Sequence, residues 1–131
     1  MIKLAFCLRR RAGLSREDFQ RYWLDEHGPL VREHAGTLRI RRYVQLHTEG
    51  HPLNAALRES RGGPEAFDGI AELWWESLEE LAGAMATPEG RRVGALLLED
   101  ERRFIDLERS PLFLAREHEL VAAERGDGGA A

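Results

Sequence analysis

Residues 2 to 8, Ile-Lys-Leu-Ala-Phe-Cys-Leu, alternate with a period of two, placing Ile2, Leu4, Phe6 and Leu8 on one face of a half-buried strand. The period then changes. After an Arg-Ala-Gly turn, Ser15 is placed to cap a helix, Glu17 and Asp18 favour its positive end, and Leu14 is placed to pack on Phe19. Phe19, Tyr22, Trp23, His27, Leu30 and Val31 then share one helical stripe. Alternation returns over residues 38–47, with Leu38, Ile40, Val44 and Leu46 opposite Arg39, Arg41, Tyr43, Gln45 and His47, and again over residues 67–75, where Ile70, Leu73, Trp74 and Trp75 cover both faces. Between these two segments, residues 48–66 form a long connection with room for a short helix around Leu53 to Arg58. Ser77 opens a further helix with Glu80 completing a capping box, and Thr87-Pro88 ends it and starts another that runs to about Glu101, burying Val93, Leu96 and Leu97. A last strand region is expected through Phe104-Ile105-Asp106 and from Leu112 to Val121.

This order, strand, helix, strand, strand, helix, strand, specifies an α+β fold of the ferredoxin-like βαββαβ type, a four-stranded antiparallel sheet with helices on one face. The other face then needs a cover. Large apolar residues on both faces of the first and third strands make a second copy of the chain the economical one, so a homodimer is expected. One domain over residues 1–122 is expected, followed by a disordered C-terminal tail over 123–131 that ends in Gly-Asp-Gly-Gly-Ala-Ala.

Composition excludes several classes of function. A formal net charge of −4 argues against a nucleic-acid partner, and no apolar run approaches the length of a membrane span. The N-terminal apolar stretch is short and its arginines follow it, the reverse of a secretory leader, so a cytoplasmic protein is expected. The single cysteine, Cys7, reads as a small, partly buried strand residue. His27, His47 and His51 lack a compact metal-ligand spacing, and there is neither a Gly-rich phosphate loop nor a Gly-x-Ser-x-Gly elbow, so no metal or cofactor is expected. Arginines cluster at Arg9, Arg10, Arg11 and again at Arg39, Arg41, Arg42, as a solvated surface or as a local site for an anionic small molecule.

The stretch Trp-Leu-Asp-Glu-His-Gly-Pro-Leu, residues 23–30, sets two poor helix formers beside a histidine on an apolar stripe. Pro29 cannot donate to the carbonyl of Asp25, so the helix is expected to kink or end there. An imidazole at a broken turn is held through one nitrogen with the other aimed into a cavity, the arrangement of a general acid or base, or else it is a core histidine satisfied by one hydrogen bond. Tyr43, Gln45 and His47 project from one strand face and His51 follows in the loop, a set able to orient a carbonyl or enolate and move its protons.

The segments Tyr-Trp-Leu-Asp-Glu-His-Gly-Pro-Leu, Arg-Arg-Tyr-Val-Gln-Leu-His, Phe-Asp-Gly-Ile-Ala-Glu-Leu-Trp-Trp and Glu-Arg-Arg-Phe-Ile-Asp, in this order and from about Ile2 to Val121, resemble the EthD domain. The resemblance implies a ferredoxin-like protomer assembled as a dimeric α/β barrel. EthD-like proteins are associated with ethyl tert-butyl ether degradation, and others are cofactor-free enzymes acting on cyclic or aromatic compounds, among them methylmuconolactone isomerases and polyketide dehydratases or cyclases. By its segments the resemblance places active-site roles on His27 and Tyr43, with a further histidine that corresponds to either His47 or His51.

The sequence therefore supports a cofactor-independent isomerase, cyclase or dehydratase acting on a small, carbonyl-bearing, cyclic or polyketide-derived substrate. His27, Tyr43, His47 and His51 are its candidate catalytic residues, with Phe6, Trp23 and Trp74 as pocket wall and Arg41 and Gln45 as further substrate contacts. A non-catalytic binding or accessory protein of an oxygenase system and a monooxygenase of the same barrel type are the alternatives.

Overall fold

The computed structural model describes residues 1–124. The C-terminal end expected to be disordered lies, from residue 125 onward, outside the described residues. Four antiparallel strands, β1 (Ile2–Leu8), β2 (Arg42–His47), β3 (Gly69–Trp75) and β4 (Leu112–Ala115), form one sheet in the order β2-β3-β1-β4. This is the ferredoxin-like arrangement the order of periods predicts. β1 pairs along its whole length with β3, from Ile2 opposite Trp75 to Leu8 opposite Gly69, and its other edge takes β4.

The helices follow their capping chemistry. Ser15 accepts from the Asp18 amide at 3.0 Å to start α1 (Arg16–Tyr22). Ser77 and Thr87 do the same for α4 (Leu78–Ala86) and α5 (Pro88–Glu101), accepting from Glu80 and Gly90 at 3.1 and 2.9 Å. The expected short helix in the long connection is present as α3 (Leu53–Arg61), with none of its residues buried. Among the described residues no helix is long and apolar enough to cross a membrane.

The helix does not end at Pro29. The chain stays right-handed through Gly28, and between α1 and α2 (Gly28–His34) it widens into one π turn over Trp23–His27, closed by the Gly28 N–H on the Trp23 carbonyl. A wider turn absorbs the missing proline donor where a break was expected.

Two strand boundaries also differ from expectation. β2 begins at Arg42, because Arg39 takes φ +60° and turns the chain, so Leu38 and Ile40 pack beside Val31, Val93 and Leu97 under the helices. β4 is only four residues long, Leu112–Ala115. Phe104 and Ile105 are buried core residues instead, tied to the sheet by a single bridge between Ile105 and Arg10, and a 3-10 turn over Leu107–Arg109 intervenes.

The helix-facing side of the sheet carries the core, in two apolar groups. One gathers Leu8, Phe19, Trp23, Ala71, Phe104 and Ile105, with Leu14 packed against it near Phe19 as the capping pattern predicts. The other is Val31, Val93 and Leu97. Among the described residues no helix covers the opposite face, which shows Leu46 and Phe113 at 44% and 51% exposure around a Lys3–Glu72 ion pair of 2.9 Å.

Trp23 lies directly on Gly69. A Cβ at position 69 would stand 2.4 Å from the indole and 2.7 Å from the Leu46 carbonyl oxygen, so only glycine lets the helix approach the sheet here. Gly69→Ala is expected to destabilise the fold by about 1–3 kcal/mol through overpacking. Urea denaturation monitored by tryptophan fluorescence measures this, since Trp23 must move.

Candidate active site

A partly open cavity of about 180 Å³ lies between the sheet and the helices, where the two apolar groups meet. Leu4, Phe6, Ala71 and Leu73 form its floor, Trp23 and Val31 lie on the helix side, and the polar groups reaching it are His27, Tyr43 and Glu101. His27 is 5% exposed, and its position on the π turn sets its ring against Phe104, 5.1 Å between centroids.

The ring is held through Nδ1, which lies 2.8 Å from Asp100 Oδ2. A carboxylate only accepts, so Nδ1 carries the proton and Nε2 keeps a free lone pair. Asp100 is fixed in turn by the Tyr22 hydroxyl, which donates to Oδ1 at 2.5 Å. The Tyr22 phenol is pushed up to about 12, by burial first and then by its bond to Asp100. It therefore remains a donor at any ordinary pH.

Burial lowers the His27 pKa, and the bond and charge of Asp100 recover only part of the loss. Glu101 moves the opposite way. Burial, with the Asp100 charge adding to it, pushes its carboxyl up to about 7. Its Oε2 is 3.9 Å from His27 Nε2, too far for a direct hydrogen bond and close enough for one substrate atom beside the pair to be reached by both. A largely neutral imidazole and a carboxyl that is protonated in a substantial fraction of molecules therefore coexist near neutrality.

Tyr43 completes the set from the sheet side. Its oxygen accepts from Gln45 Nε2 at 2.8 Å, which leaves the phenol's own proton to be donated. Burial raises its pKa, while hydrogen bonds from Gln45 and Trp23 pull it down and the Glu101 charge raises it. The same Gln45 amide donates to the Trp23 carbonyl at 3.0 Å, tying β2 to the π turn. Its Oε1 accepts from His47 Nε2 at 2.7 Å.

The sequence-predicted residues thus divide. His27, Tyr43, Phe6 and Trp23 line one cavity, with Gln45 bonded to Tyr43 just outside it. His47 stacks on the outer side of Trp23, ring centroids 4.6 Å apart, and lines an open groove next to the cavity. His51 is exposed in the loop before α3, where its ring accepts the Leu53 amide at 2.9 Å, remote from the cavity lining. Arg41 is exposed, pairs closely with Glu76 and lines the groove.

Trp74 does not form pocket wall. Strand alternation allows only one of Trp74 and Trp75 onto the helix side, and the register with Leu73 and Ala71 selects Trp75. Trp74 faces the uncovered side, under Lys3 and Arg42, with its indole N–H donating to Glu117 at 2.7 Å. Asp100 and Glu101, which flank His27 at the cavity, are not among the residues the sequence singles out. They lie inside a polar run, Glu-Asp-Glu-Arg-Arg, that resembles a solvated helix end. Two carboxylates one turn past Leu97 on a core-facing helix were the available signal. Among the described residues no group of His, Cys, Asp and Glu is arranged to hold a metal ion.

The family model of the EthD domain matches residues 11–108. No curated protein gives a match. Among solved structures, an EthD family protein of Bacillus halodurans is similar at 23% identity with TM-score 0.60, over 90% of this chain and 99% of that one. An EthD-like protein of Ralstonia eutropha is similar at 22% identity with TM-score 0.55, over 95% of each chain. A dimeric protein of unknown function and ferredoxin-like fold from Bacteroides fragilis follows at 9% identity and TM-score 0.55, over 88% of this chain and 95% of that one.

The raised Glu101 pKa has a consequence for stability. A carboxyl whose folded pKa lies near 7, above its ordinary 4.5, binds more protons folded than unfolded across that interval. Stability is then fully present at the acid end and is lost as pH rises toward 7, by roughly 3 kcal/mol for a shift of this size. Glu101→Gln is expected to remove this fall and to be the more stable protein at about pH 8. Urea unfolding across that pH range measures it.

Proposed function

The chain belongs to the EthD domain family, and on that premise we propose that it is a cofactor-independent enzyme acting on a small carbonyl compound. The reaction is an isomerisation, cyclisation or dehydration of a cyclic or polyketide-derived substrate. The observation that carries this reading is that His27, Glu101 and Tyr43 line one cavity, with Glu101 Oε2 3.9 Å from His27 Nε2 and His27 oriented by Asp100.

In this reading the substrate carbonyl lies near Tyr43, which donates a hydrogen bond to the oxygen as negative charge develops on it. His27 Nε2 removes a proton from the adjacent carbon, and Asp100 stabilises the imidazolium that forms. Glu101 returns a proton at a second carbon or to a departing hydroxyl, which separates isomerisation from dehydration by where the proton goes. The apolar walls exclude water and strengthen each of these interactions. Assembly as a homodimer through the uncovered sheet face belongs to the same proposal, supported by Leu46 and Phe113 exposed there.

The test is proton exchange next to a carbonyl in D₂O, followed by NMR over a panel of cyclic ketones, lactones and linear polyketide mimics. His27→Ala is expected to slow exchange by ~10²–10⁴-fold, the range of general-base catalysis, in protein that still folds. Tyr43→Phe should lower kcat more than it raises KM, because its bond strengthens as the oxyanion forms. Full exchange activity in His27→Ala would overturn the mechanism. A panel bound by the protein but exchanged by none of its variants would favour the binding or accessory role.

A further inference from the structure

A second concavity, of about 380 Å³, lies at the end of the sheet where β1 and β3 meet the start of α1, and it shares no lining residue with the cavity. Five arginines line it: Arg9, Arg10, Arg11, Arg16 and Arg109. Against them stand three carboxylates, Glu65, Asp68 and Asp106, leaving a local surplus of positive charge in a chain whose formal net charge is −4. The proposed chemistry in the cavity makes no use of this concavity.

Its centre is organised. Asp68 is 4% exposed and its backbone N–H is fixed to the Leu8 carbonyl at 2.8 Å. Oδ2 accepts the Arg10 amide at 2.8 Å, and Oδ1 accepts Arg10 Nη1 at 2.6 Å and Arg16 Nε at 2.9 Å. Burial alone would raise the Asp68 pKa, but the bonds from Arg10 and Arg16 outweigh it and hold the carboxyl below its ordinary value. One buried carboxylate therefore orients two guanidinium groups and offsets the charge of one of them.

Arg16 is gripped through Nε, and among the described residues its two Nη groups meet no acceptor. Those paired donors are the fork that matches the oxygens of a phosphate. Arg109 adds a loosely paired guanidinium, 3.8 Å from Asp106 and two-thirds exposed.

We propose that this concavity is a binding site for a phosphate group, separate from the cavity, with the fork of Arg16 as its principal contact and Arg10 and Arg109 beside it. The volume exceeds that of a phosphate alone, so the site accommodates either the free ion or a small phosphomonoester.

Isothermal titration calorimetry on the full chain at constant ionic strength, with inorganic phosphate and separately with glycerol 2-phosphate, tests this. Saturable binding near millimolar Kd or tighter is expected for at least one of the two, and their ranking identifies the free ion or the ester as the preferred source. Arg16→Gln should weaken binding by about tenfold or more, and Arg16→Lys should recover only part of it, because an ammonium keeps the charge without the fork. Arg109→Gln, which touches none of the Asp68 bonds, should weaken binding by about threefold and serves as the readout if loosening Asp68 unfolds the Arg16 variants. Arg91→Gln on α5 should change nothing. Absence of saturation with both probes, or equal affinity in the wild-type protein and every folded variant of Arg16 and Arg109, would overturn the proposal.

Discussion

The carbonyl of Trp23 is the point on which the interior depends. Its acceptor capacity is shared between the Gly28 amide, which closes the π turn, and the Gln45 side chain, which reaches over from β2. Pro29 creates the need for that turn and Gly28 leaves space for it, since a Cβ at position 28 would stand 3.1 Å from the Gln45 amide nitrogen. Once the carbonyl is held in this way, the Trp23 ring is set over Gly69 and stacked on His47. The π turn that begins at Trp23 ends at His27, whose ring reaches Asp100 from there. A single irregular turn thus couples helix, sheet and α5, which is why two poor helix formers stand beside the histidine.

The cavity's electrostatics follow from dryness more than from any one ion pair. Ordinarily a glutamate gives up its proton well before a histidine does. Here desolvation opposes charge on both groups, so it raises Glu101 and lowers His27, and the usual order is reversed. Asp100 sharpens the contrast because it is bonded to one and merely near the other. Its bond to His27 Nδ1 supports an imidazolium, whereas its charge beside Glu101 discourages a second carboxylate. Adjacent residues at the end of one helix therefore receive different roles from their surroundings.

The fold was legible because the two periods of two and 3.6 recur in an order that few architectures satisfy. Where the reading of residues 38–47 went wrong, the alternation was real, but Leu38 and Ile40 serve a helix-side core and only the later residues pair in a strand. Alternation over a segment that turns at Arg39 reports neither hydrogen bonding nor a single buried side, since Leu46 ends on the uncovered face. In the site, His27 and Tyr43 were visible as polar groups on patterned elements. Asp100 and Glu101 were not, because a polar run at a helix end looks the same whether water or a histidine lies across from it. The choice between Trp74 and Trp75 was likewise beyond the sequence, since two adjacent indoles satisfy a strand buried on both faces in either register.

Size limits what the cavity can hold. At about 180 Å³ it falls below the range of roughly 300–1,000 Å³ typical of small-molecule sites, so a substrate of any bulk cannot enter it whole. The open groove alongside, about 480 Å³, shares Ile40 and Tyr43 with it and continues past Gln45 and His47 between α2 and β2. In the proposed reaction the reacting carbon therefore sits inside, against His27 and Glu101, and the rest of the molecule lies in the groove. Tyr43 stands at the boundary, so a carbonyl oxygen bonded to it is where the buried and the exposed parts of the substrate meet. In the same proposal, Gln45 and His47 act on the reaction only through the position of the Tyr43 hydroxyl, since Tyr43 is the one proposed catalytic residue that lines both spaces.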